Sequence, residues 1–126
     1  MSGTSRVRNG FAHMRWILLL LLSLAACSKA PEADLPYISQ ARSLAAEWAL
    51  VNQEASEGKL TDAYVQTMRQ SVREQLQTSQ KALTQPQSDY GREIAALLKE
   101  PDGAVPQTLR SHADKLKTIE DSLESA

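Results

Sequence analysis

The sequence predicts an all-α protein, a small antiparallel bundle of three to four helices that follows a cleaved signal peptide. Three observations predict it. Apolar residues recur three and four positions apart beyond residue 35, which is the period of one helix face. Strand-like alternation is absent, valines are few, and alanine, leucine, glutamine and glutamate dominate. Two long amphipathic stretches are separated only by Gly58-Lys59-Leu60, a connection that implies antiparallel neighbours. The expected organisation is a signal peptide over 1–26, a short N-terminal linker over 27–35 and a helical domain over 36–126. Helices are expected near 36–57, 61–84, 88–99 and 105–124.

The leader comes first. Arg6, Arg8 and Arg15 form a basic region without acids, and Met14 also stands at the head of a compact one. An apolar run of about ten residues follows from Trp16 through Leu24, and small residues close it at Ala25 and Ala26. This is the layout of a secretory signal. The run is shorter than the ~20 apolar residues that span a bilayer. Cys27, the single cysteine, stands immediately after it, so no intramolecular disulfide is possible. Leu24-Ala25-Ala26-Cys27 resembles the lipobox of bacterial lipoproteins, and the resemblance covers only the leader. It implies a diacylglyceryl group on the Cys27 thiol, cleavage before Cys27 and acylation of the new amine. The stretch 27–35 is then a lipidated N-terminus and tether. Each buried CH₂ contributes ~0.8 kcal/mol, so two or three acyl chains hold essentially permanently. Ser28 rather than aspartate follows the cysteine, and in the enterobacterial sorting pattern this favours the outer membrane, facing the periplasm.

The first helix is expected to open at Pro36, a residue favoured in a first turn. Its apolar stripe is Tyr37, Ile38, Ala41, Leu44, Ala45, Trp48, Val51 and Ala55, and Gly58 stops it. Thr61 caps the second helix, whose stripe is Tyr64, Val65, Met68, Val72, Leu76, Ser79 and Leu83. Gln85-Pro86 ends it, because the residue before proline avoids the α region. Ser88 caps a short third helix with Tyr90, Ile94, Leu97 and Leu98. The fourth carries a seam of Val105, Leu109, His112, Leu116, Ile119 and Leu123, spaced for packing on other helices.

Charge narrows the function. Three of fourteen basic residues precede Cys27, so eleven bases face fifteen acids in the rest. An acidic domain does not suit nucleic acid and gains no pull toward anionic lipid, so the anchor must be something other than charge; the lipobox resemblance implies the lipid on Cys27. The domain holds one histidine, His112, and no second cysteine, so no metal site or cofactor is expected. Ser111 adjoins His112 in sequence, but neighbouring helix positions do not face each other, so no catalytic residue is assigned. His112 reads as an edge-of-core residue on the seam.

Two features point to a partner. Leu50 stands on the polar side of the first helix, nearly opposite Trp48. Arg69 and Arg73 lie one turn apart on a glutamine-rich face, a pattern suited to carboxylates. The expected function is a membrane-anchored, non-catalytic adaptor for another envelope protein. The alternative is a carrier of a small hydrophobic ligand or lipid, in a cavity lined by Trp48, Tyr64, Met68 and Leu76. An enzyme ranks last.

Overall fold

The computed structural model describes residues 30–126, and the expected signal peptide (1–26) and lipidation site Cys27 lie outside the described residues. A single helical turn, Ala30–Ala33, precedes four helices that pack as a bundle. They are α1 (Leu35–Ser56), α2 (Asp62–Ala82), α3 (Asp89–Leu98) and α4 (Pro106–Glu124). No strand occurs among the described residues.

Helix α1 is central, with α2 and α4 packed along it and α3 closing against both of them. Its buried ridge of Ala41, Ala45 and Ala49 places small residues one turn apart, so the neighbouring helices approach closely. Leu44, Trp48, Leu76, Ile94, Leu97, Leu109 and Leu116 fill the space around that ridge. Both neighbours run antiparallel to α1. Asn52 meets Arg69 while Asp34 meets Thr84, and Arg110 meets Gln53 while Arg42 meets Glu120.

The caps follow from local chemistry. Thr61 Oγ1 accepts from the Tyr64 N–H and Ser88 Oγ from the Gly91 N–H, each satisfying an orphan donor of a first turn. At the other end of α1, Gly58 takes φ 72°. Its N–H donates to Ala55 O and the Lys59 N–H to Glu54 O, the paired bonds of a Schellman ending.

Three expectations are corrected. Val105 was expected in the α4 seam, but it is 63% exposed because it is the N-cap, before the helical period begins. Tyr64 was expected on the buried stripe of α2, but it is 49% exposed, because it stands about 100° around the helix from Val65, which is buried and leads the lane of Val72, Leu76 and Ser79. Helix α2 stops at Ala82 rather than at 84, because Leu83 is already extended and the next two N–H groups are taken by Asp34.

Asp34 lies within the stretch expected to be linker, yet it is fully buried. Its carboxylate does not cap its own helix. It accepts from the Thr84 N–H (2.8 Å), Thr84 Oγ1–H (3.0 Å), Gln85 N–H (3.2 Å) and Tyr90 Oη–H (2.5 Å). One carboxylate thereby ties the start of α1 to the corner between α2 and α3.

Candidate functional site

The polar chemistry of the bundle gathers at the opposite end from Asp34, around the α3–α4 loop, residues 99–105. Helix α1 supplies two groups beneath it. Trp48 Nε1–H donates to Asp102 O at 3.0 Å, and Asn52 Nδ2 donates to Asp102 O at 3.0 Å and to Ala104 O at 2.8 Å. Both side chains are buried, because the stripe that carries Trp48 continues one turn later at Asn52.

Helix α2 supplies two arginines. The Arg73 guanidinium stacks 4.8 Å from the Trp48 ring centroid. Its Nε–H donates to Asp102 Oδ1 at 2.6 Å, Nη1 to Leu98 O at 2.9 Å and Nη2 to Glu100 O. Arg73 thus satisfies the Leu98 carbonyl that α3 leaves open at its C-terminus and the Glu100 carbonyl of the loop. Arg69 Nε–H donates to Asn52 Oδ1 at 2.9 Å. Its two terminal amines make no bond among the described residues and remain for an outside acceptor.

Above the two arginines lies a groove of about 480 Å³, lined by Gln66, Arg69, Gln70, Arg73, Glu74, Gln77 and Asp102. It combines amides that both donate and accept with one tethered, outward-facing guanidinium. Such a surface suits carboxylates and peptide amides.

Helix α4 reaches the loop from the other side. His112 is 9% exposed and sits between two carboxylates, with Nδ1 2.6 Å from Glu93 Oε1 and Nε2 3.0 Å from Glu100 Oε1. It borders a second cavity of about 510 Å³, shared with Val105, Thr108, Ser111 and Lys115. His112 therefore occupies its expected position on the seam at the edge of the core, with a carboxylate oxygen facing each ring nitrogen. The carboxylates flank the ring on opposite nitrogens, so they do not converge on one point. Among the described residues no group of three or more His, Cys, Asp and Glu is placed to hold a metal ion.

The structure brings Arg69 and Arg73 to one groove and leaves Leu50 out of it. Leu50 is 52% exposed, and two residues of helix turn it about 200° from Trp48, away from the loop. Trp48 and Leu76 are fully buried in the core, Met68 is half-buried and Tyr64 faces outward, and neither cavity touches any of the four. Asn52, Glu93, Glu100 and Asp102 were not singled out from sequence. Only Asn52 carried a signal, as a polar residue one turn beyond Trp48 on an apolar stripe.

Among the described residues no helix is long and apolar enough to cross a membrane. No protein-family model matches the chain, and comparison with curated proteins and with solved structures finds no match either.

Proposed function

We propose that this chain is a lipid-anchored envelope lipoprotein whose helical bundle docks another envelope protein without catalysing a reaction. The observation that carries the reading is the spacing between Cys27 and Asp34. The lipobox cysteine lies seven positions before a fully buried residue of the bundle. Seven residues reach at most about 25 Å. Acylated at Cys27, the bundle is held close to one leaflet, and Ser28 favours the outer membrane, facing the periplasm, by the enterobacterial sorting pattern.

The chain enters at the Asp34 end, and α1, with 22 residues, extends about 33 Å. The groove of Arg69 and Gln70 lies in the half of α2 farther from that end. A partner in the periplasm meets this half first. Its chemistry favours a protein segment bearing carboxylates, with Arg69 as the receiving cation.

Two measurements test the reading. Intact-protein mass should show acyl chains that disappear in Cys27→Ala, together with release from the membrane fraction. A photo-crosslinking residue at position 70 in native membranes should give a discrete adduct that Arg69→Gln weakens, while one at Lys81 gives none. Unmodified mass at Cys27 removes the anchor. Equal labelling from positions 70 and 81 removes the docking face.

A further inference from the structure

We propose that the Glu93–His112–Glu100 bridge is a proton-operated latch on the α3–α4 loop, closed when the imidazole carries both protons and loosened when it loses one. The inference goes beyond docking. It rests on that reading only for its consequence, namely that the loop which supplies Asp102 to the groove is regulated.

Hydrogen-bond inventory carries the argument. A carboxylate only accepts, and a neutral imidazole has one donor and one acceptor. At 2.6 Å and 3.0 Å both ring nitrogens face carboxylate oxygens. Only the doubly protonated ring satisfies both. The neutral ring sets a lone pair against one carboxylate, with the three side chains only 11%, 17% and 26% exposed. An unmade bond there is costly.

The bridge joins three segments: Glu93 on α3, Glu100 in the loop and His112 on α4. Glu100 is the joint. Its carboxylate is held by His112 and its carbonyl by Arg73, which also grips Asp102 and Leu98 O. Of the two carboxylates, Glu93 sits within a helix, whereas Glu100 lies beyond the end of α3. The loop is therefore the side that gives way.

The other charged groups near the ring are accounted for. Lys115 borders the same cavity on α4. Arg73 of α2 and Asp102 of the loop face each other. On α1, Arg42 is paired with Glu120, two turns along α4 from His112. The remaining buried titratable pair, Asp34 and Tyr90, lies at the opposite end of the bundle.

The test is hydrogen exchange on the full chain in detergent micelles, corrected for intrinsic rates, between about pH 5 and about pH 8, where imidazoles titrate. The Ala104 amide, bonded to Pro101 O, reports the loop, and amides near Ala45 report the core. Loop protection should fall about tenfold as pH rises, with the core unchanged. His112→Gln should abolish the dependence. Should that variant misfold, Glu100→Gln decides: its amide can accept from or donate to Nε2, so the loop should stay protected throughout. A wild-type loop whose protection is constant over the range overturns the latch, as does full pH dependence in Glu100→Gln. If the loop responds but the crosslink at position 70 is absent, the docking reading fails and the latch stands.

Discussion

Asp34 shows how much one carboxylate can do in a small bundle. Burial alone pushes its carboxyl up, but the hydrogen bonds from the Thr84 N–H, Tyr90, Thr84 Oγ1 and the Gln85 N–H outweigh burial and hold it below the usual carboxylate range. The folded state therefore favours the ionised form. Its stabilisation is fully present above the ordinary value of 3.8 and is lost as pH falls through the lower folded value. Asp34→Asn turns an NH₂ toward a backbone N–H whichever oxygen it replaces, Thr84 N–H on Oδ1 or Gln85 N–H on Oδ2, so urea unfolding at neutral pH should show a loss of about 2–3 kcal/mol. The acid limb of the stability profile should flatten with it, and an unchanged limb would locate acid unfolding elsewhere. Burial, reinforced by the bond to Asp34, pushes the Tyr90 phenol up to about 12. A raised folded value means stability that is intact below about 10 and is lost as pH approaches 12. Tyr90→Phe should therefore remove the alkaline limb and cost about 1 kcal/mol at neutral pH. None of this was legible beforehand. Asp34 stands where an N-cap belongs, and its partners lie fifty or more positions away, a separation that only tertiary closure bridges.

At the scale of the element, periodicity and caps read well because both are local. Thr61 and Ser88 cap where expected, and the helices begin and end within one or two residues of the expected places. The misses are positions where one element meets another. Gly91 is buried in the first turn of α3, and a Cβ there would overlap the Pro86 carbonyl. That obstacle is backbone, held by the same corner that Asp34 binds, so it cannot swing aside. Gly91→Ala should therefore destabilise by about 2 kcal/mol or more, against the gain in helix propensity that alanine ordinarily brings. Thermal unfolding of the pair decides it, and a variant as stable as the parent would mean the corner yields. Ser79 illustrates the opposite case. It lies on the buried lane of α2, and its hydroxyl has no hydrogen-bond partner among the described residues. Ser79→Ala should stabilise by about 1 kcal/mol, because it removes an unsatisfied polar atom and leaves the space filled much as before. A loss of stability on that change would point to a bond the hydroxyl makes in solution.

For the whole molecule, the core and the polar tie were unequally visible in the sequence. The apolar stripes announced a bundle, since burying them is the only way four such helices satisfy their surfaces. The way the bundle closes at its far end depends on one residue whose role spacing does not reveal. In sequence Arg73 belongs with Arg69 to a face suited to a partner's carboxylates, yet it stacks on Trp48 and holds Leu98 O, Glu100 O and Asp102 together. It thereby links α1, α2 and the loop that leads into α4. This has a consequence that a surface arginine lacks. Arg73→Ala should cost about 3 kcal/mol, because it leaves partly buried carbonyls unpaired as well as losing the stack. Arg73→Lys should recover little of that, since an ammonium lacks both the planar face and the fork that reaches several acceptors at once. Because the loop also carries Glu100 to His112, the same variants should lower loop protection in hydrogen exchange at every pH, not only at high pH. Denaturant melts set against loop exchange separate the cases. An Arg73→Lys protein with parental stability would show that the guanidinium is a bystander and that Trp48 and Asn52 hold the loop unaided.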